Sequence, residues 1–145
     1  MLPRCLLVLS LLAATAAAQP AANGRLAIVG FCWGGGQVWR LALARPDLAL
    51  ANVFYGAPPA DADYAKIMCP VYGYYGGNDA RINGTIEKST AGMAAAGKVY
   101  QPVIYDGAGH AFMCAGEEPD GTPANQKAMT EGWPRLLAAL AKARG

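Results

Sequence analysis

Short apolar runs alternate along this chain with longer stretches in which apolar positions recur every three or four residues. Leu26-Ala27-Ile28-Val29 is too short for a helix and is bounded by glycines, which reads as a buried strand. From Trp33 the period changes. Val38, Trp39, Leu41, Ala42, Leu43 and Ala44 make a mostly apolar helix that must stop near Arg45, because a residue before proline, here Pro46, disfavours helical dihedrals. Further strands are predicted at Ala49 to Tyr55, Val71 to Tyr75 and Val99 to Tyr105, with a polar, Ala-rich connection at Asp61 to Lys66. Asn83 caps a helix reaching about Ala96, with Ile86, Thr90 and Met93 on its inner side and Gly97 as its stop. The last helix, Thr122 to Ala143, places Met129, Trp133, Leu136, Leu137 and Leu140 in the core, and Pro134 should kink or divide it.

Strands alternating with helices predict an α/β fold: a mainly parallel sheet of about four strands, covered on both faces by helices. Ligands of such sheets gather beyond the carboxyl ends of the strands. The strand tips on offer are Gly30 to Gly36, Tyr55-Gly56, Gly76 to Asp79 and Asp106 to His110.

The first residues differ in kind. One positive charge at Arg4, an apolar run from Cys5 to Thr15 and Ala16-Ala17-Ala18 fit an export signal over 1–18, followed by a linker over 19–25 and one domain over 26–145. The run falls short of the roughly 20 apolar residues of a membrane span, so no stable membrane insertion is expected once it is removed. The expected location is periplasmic or secreted. Removal takes away Cys5 and leaves Cys32, Cys69 and Cys114, an odd number that leaves a thiol without a partner in the same chain. Whether Cys69 and Cys114 pair stays open. At 145 residues, 54% hydrophobic and a net charge of +2, with the basic residues scattered, the chain is globular and carries no phosphate-tracking surface, which excludes nucleic acid as a partner. One histidine and no CxxC argue against a metal site.

Gly30-Phe31-Cys32-Trp33-Gly34 follows the G-x-nucleophile-x-G pattern of a nucleophile elbow, with Cys where Ser is usual. The glycines two before and two after would remove side chains that clash across a tight strand-to-helix turn. Cys32 would then stand at the positive end of a helix, which favours a thiolate, and the Trp33 N–H would face a reacting carbonyl oxygen. A buried structural cysteine in a glycine-rich turn is the plain alternative. His110, the only histidine, follows a predicted strand and could act as base toward Cys32. Asp79 ends the strand between them and could orient the imidazole; Asp106 competes for that role but lies only four residues before His110. The order nucleophile, acid, histidine is that of an α/β hydrolase. Tyr55, Tyr75 and Phe112 are candidates for lining a pocket, and Arg81 for touching a substrate carboxylate, although packing and surface roles are the ordinary fate of such residues. Asn83-Gly84-Thr85 also fits a glycosylation acceptor, with the helix cap preferred.

The segments "VGFCWGGG", "GGNDARIN" and "YDGAGHAF", with Asp79 47 positions after Cys32 and His110 31 positions after Asp79, closely resemble the dienelactone hydrolase family of α/β hydrolases. The similarity runs from about Ala21 to the last helix. It implies Cys32 as nucleophile, His110 as base and then acid, Asp79 as its partner, a small ester or lactone as substrate, a thioester acyl-enzyme and no cofactor. Family members carry several strands, an oxyanion-hole donor and a glutamate before the nucleophile strand, so this chain resembles the second half of the domain, a partial α/β-hydrolase fold. Where dienelactone-specific enzymes place a carboxylate-gripping arginine after the histidine, this chain has Met113-Cys114. Leu26 to Val29 would then form a hydrophobic sheet edge that invites homodimerisation. An oxyanion hole reduced to the Trp33 N–H would cost about 100- to 1,000-fold in turnover. The leading expectation is therefore an exported Cys-dependent ester or lactone hydrolase, and the alternative is a truncated, non-catalytic fragment that binds or pairs, or an incomplete gene product.

Overall fold

The structure, a computed structural model, describes residues 23–144. The expected export signal and most of the linker lie outside the described residues. Four strands, β1 (Leu26–Phe31), β2 (Leu48–Phe54), β3 (Val71–Gly76) and β4 (Tyr100–Tyr105), form one parallel sheet in the order β1-β2-β3-β4. Helices α1 (Trp33–Ala44), α2 (Ala80–Asn83), α3 (Ile86–Ala95), α4 (Phe112–Ala115) and α5 (Pro123–Arg144) connect and cover it, with a 3₁₀ turn at Tyr64–Lys66.

The two faces of the sheet carry separate cores. Val38, Trp39 and Ala42 of α1 and Ile86 and Met93 of α3 pack with Ala51, Val53, Val71 and Tyr75 on one face. Ala128 and Leu136 of α5 pack with Phe54, Tyr74, Tyr105 and Phe112 on the other. Strand β2 is buried almost end to end, the mark of a parallel strand covered on both sides. Asn52 is fully buried within it, and its Oδ1 accepts from the Tyr74 hydroxyl at 3.0 Å, so this polar group does not stand unpaired. Strand β1 is the edge among the described residues, and its Val29 is 45% exposed. Strand β4 is the other edge and carries Pro102. The bonds Val71 N–H to Val99 O and Gly77 N–H to Tyr105 O mean that β4 pairs with β3 through its odd-numbered residues, so the missing N–H of Pro102 falls on the outer side.

Several expectations need correction. Asn83 does not cap a long helix: Asp79 caps α2, its carboxylate accepting from the Ile82 N–H, and α3 starts separately after Thr85. The Asn83 amide instead donates to the Gly76 and Gly77 carbonyls, closing the loop after β3. On α3 the third inward position is Ser89, hydrogen-bonded to the Thr85 carbonyl, and Thr90 is exposed. Helix α5 is neither ended nor divided at Pro134, which is exposed, as is Thr130 one turn earlier, so water can serve the carbonyl that proline leaves without a donor. Trp133 and Leu137 are exposed too; the small Ala128, Gly132 and Ala139 face the sheet with Leu136. Small residues let α5 lie close to the aromatic rings of the sheet, turning the larger ones aside. Cys69 is a free, buried thiol whose burial raises its pKa. Among the described residues no helix is long and apolar enough to cross a membrane.

Candidate active site

The site is built at the carboxyl ends of β1, β3 and β4. Between β1 and α1 the chain turns at Cys32, whose φ of 56° and ψ of −121° lie in a region ordinary side chains avoid. Backbone contacts force the turn. A Cβ on Gly30 would lie 2.3 Å from the Gly34 carbonyl oxygen, so strand and helix cross here without room for a side chain. A Cβ on Gly34 would meet nothing within 4 Å, so the two glycines of the motif are not equivalent, contrary to the sequence expectation. The neighbouring Gly35 lies against the β2 tip, where a Cβ would come 2.5 Å from the Phe54 carbonyl oxygen. Cys32 is exposed at the start of α1, and the Trp33 N–H is one of the first-turn donors without an intrahelical acceptor.

Three side chains of the sequence motifs meet. The His110 Nε2 lies 3.1 Å from the Cys32 Sγ, and its Nδ1 lies 2.5 Å from the Asp79 Oδ2. Asp79 is 7% exposed, and its second oxygen takes the Ile82 N–H, so the carboxylate is fixed from both sides. The His110 side chain is 32% exposed, open toward the thiol. With Nδ1 donating to the carboxylate, Nε2 is left as the acceptor facing Cys32. Asp106, the competing acid, is exposed and makes no hydrogen bond or ion pair among the described residues.

The loops that carry Asp79 and His110 are stitched together. A Cβ on Gly76 would strike the Gly109 carbonyl oxygen at 2.4 Å, so the loops touch backbone to backbone. The Asn78 N–H donates to the Ala108 carbonyl at 2.9 Å, and its Nδ2 to the Gly107 carbonyl at 3.0 Å. From α5, the Asn125 Oδ1 accepts the Gly109 N–H at 2.8 Å. Neither asparagine is marked in the sequence as part of the site. Asn78 was legible as a turn residue, but nothing local marks Asn125 as reaching across to the histidine loop.

The secondary candidates fall apart from one another. Tyr55, with φ of 38°, is at the site but 1% exposed; its ring packs against that of His110 with centroids 5.1 Å apart, and its hydroxyl has no partner among the described residues. Burial raises its pKa, reinforced by the charges of Cys32 and Glu117. Phe112 is fully buried against Tyr55, Phe54 and Tyr105 and is core rather than pocket lining. Tyr75 is likewise buried, its hydroxyl paired with that of Tyr100 at 2.8 Å. Arg81 is exposed on α2 and makes no hydrogen bond or ion pair with the three meeting residues. Among the described residues, the non-glycine residues with positive φ, Cys32, Tyr55 and Ala111, all lie at this site, the last directly after His110. Among the described residues no group of three or more His, Cys, Asp or Glu side chains is placed to hold a metal.

The family model described as "Dienelactone hydrolase family" matches residues 7–143. A protein of Salmonella typhimurium named "Putative carboxymethylenebutenolidase" is 36% identical over 132 residues, covering 83% of this chain and 47% of its own length. One of Methylorubrum extorquens with the same name is 34% identical over 126 residues, covering 79% and 42%. A crystal structure described as "Putative Dienelactone Hydrolase" from Klebsiella pneumoniae superposes with a TM-score of 0.75 at 30% identity, covering 88% of this chain and 56% of that one. The chain thus spans about half the length of the curated relatives it matches.

Proposed function

Because the chain belongs to the dienelactone hydrolase family, we propose that it hydrolyses a small carboxylic ester or lactone through Cys32, His110 and Asp79. One observation carries the proposal: the unbroken chain of contacts from the Cys32 Sγ through both His110 nitrogens to the Asp79 carboxylate.

In this reading the Cys32 sulfur attacks the carbonyl carbon while its proton passes to His110 Nε2. Negative charge developing on the carbonyl oxygen is met by the Trp33 N–H. The tetrahedral intermediate collapses, the C–O bond of the ester breaks, and the leaving alkoxide takes the proton from His110, giving the alcohol and a Cys32 thioester. Water then attacks the thioester as His110 Nε2 accepts its proton. Collapse returns that proton to the departing sulfur and releases the acid. For a lactone the alcohol and the acid are two ends of one product. Asp79 holds the Nδ1–H and stabilises each transient imidazolium. The reaction calls on no cofactor, and we place it outside the cytoplasm, following the apolar N-terminal segment.

The test is hydrolysis of p-nitrophenyl acetate by the wild-type chain and by Cys32→Ala, with intact-mass detection of an acetyl adduct on the wild type. Cys32→Ala should lower turnover by about 10³-fold or more and abolish the adduct; activity that survives the change removes Cys32 from the mechanism. A folded wild-type chain that is inert toward esters and sediments as a dimer would favour the competing reading, a non-catalytic module pairing through the β1 edge, which the 45% exposure of Val29 motivates.

A further inference from the structure

The geometry points to Asn125 as a positioning residue of this reaction, one that holds the base His110 through the peptide of Gly109. The inference rests on the functional reading above, since it assigns Asn125 work only if His110 is the base.

His110 must satisfy two partners at once, the Asp79 carboxylate at 2.5 Å and the Cys32 sulfur at 3.1 Å. Such distances tolerate little displacement of the backbone that carries the ring. Upstream, Gly107 and Ala108 are tied to the acid loop by Asn78. Downstream, Ala111 stands at φ of 60° and opens the short helix α4. The residue just before the histidine, Gly109, has one hydrogen bond to a side chain, from its N–H to the Asn125 Oδ1 at 2.8 Å.

Asn125 is well mounted for this. It is the third residue of α5, and its own N–H is capped by the Thr122 hydroxyl at 3.3 Å, with proline at the first helical position. A side chain at this position often reaches back to the cap; here it reaches across to the histidine loop. Further along, Arg135 fastens α5 to the sheet, donating to the carbonyls of Gly73 at 3.0 Å and Gln101 at 2.6 Å with its guanidinium 4.3 Å over the Tyr74 ring. The helix is therefore a beam pinned to β3 and β4 in mid-length, with Asn125 at its end gripping the peptide before the base.

The chain has a single histidine, so nitrogen-15 NMR of the imidazole reads His110 alone, and it does so whether or not the chain turns over an ester. Two variants separate positioning from packing. Asn125→Leu keeps the size and removes the acceptor; Asn125→Asp keeps both size and acceptor. In the full chain, Asn125→Leu should lower kcat on p-nitrophenyl acetate by about 10- to 100-fold with KM little changed, as a small misplacement of a catalytic group does. It should also broaden or abolish the far-downfield Nδ1 proton of the His110–Asp79 bond. Asn125→Asp should restore that proton signal and bring kcat back to within a few-fold of wild type. The inference is overturned if Asn125→Leu keeps the wild-type proton signal and kcat, or if Asn125→Asp loses as much as Asn125→Leu. A wild type that shows the downfield proton yet no esterolysis would instead sink the functional reading, and the proton signal of the two variants would still decide the positioning claim.

Discussion

Exchanging Gly30 or Gly34 for alanine should have opposite outcomes, although both belong to one motif. A methyl on Gly30 would lie 2.3 Å from the Gly34 carbonyl oxygen, 2.6 Å from its carbon and 2.8 Å from a Val38 methyl. The first two obstacles are backbone and cannot rotate away. Restoring an ordinary contact of about 3.4 Å requires the first turn of α1 to move by about 1 Å relative to β1. Cys32 sits between those two elements, so it moves too, against a His110 held from the other side. Overpacking of this kind costs about 1–3 kcal/mol and sometimes more, and misplacing a reacting atom by about 1 Å costs about 100-fold in rate. At Gly34 the methyl meets nothing within 4 Å, and alanine is the better helix former by up to about 1 kcal/mol. Urea titration gives the stabilities and p-nitrophenyl acetate turnover the rates. Gly30→Ala should lose both, while Gly34→Ala keeps its activity and is as stable as wild type or more so. Equal damage at both positions, or a harmless Gly30→Ala, would refute the account of the elbow.

Two other outcomes follow from the same geometry. In Asp79→Asn the amide would offer an N–H to His110 Nδ1 and select the tautomer with its proton on Nε2, which cannot take one from Cys32; kcat should fall by about 10³- to 10⁴-fold with KM and the melting temperature near wild type, and a loss below tenfold in steady-state kinetics would remove Asp79 from the mechanism. Burial pushes the Tyr75 phenol up to about 12, against about 10 in an unfolded chain. Between those values the folded state keeps a proton the unfolded state has released, so the contribution of Tyr75 to stability is lost as pH rises from about 10 to about 12. Urea midpoints across that range should fall less steeply for Tyr75→Phe, and identical slopes would count against the burial argument.

The strands were legible to within a residue or two because β1, β2 and β3 are short apolar runs bounded by turn residues, and the α1 stop at Arg45 was fixed by Pro46. The meeting of Cys32, Asp79 and His110 was also foreseen, since each follows a strand and parallel strands bring their carboxyl ends together. What escaped was set by contacts distant in sequence. Asn83 has the local chemistry of a cap, yet its amide is drawn to the Gly76 and Gly77 carbonyls once Asp79 has started α2. Trp133 and Leu137 sit at core spacing, yet the inner side of α5 against the sheet is taken by Ala128, Gly132, Leu136 and Ala139. Phe112 follows the histidine closely enough to suggest the pocket, but the left-handed turn at Ala111 directs the chain into the core.

The strand order β1-β2-β3-β4 follows the order of synthesis, so each strand finds its neighbour already made. Cys32 directly follows β1 and His110 follows β4, 78 residues later. At about 5–20 residues per second, the ribosome delivers His110 about 4–16 s after Cys32. Through that interval the elbow cysteine stands without its imidazole on an unfinished sheet. In this reading, reactivity arrives only with the final strand.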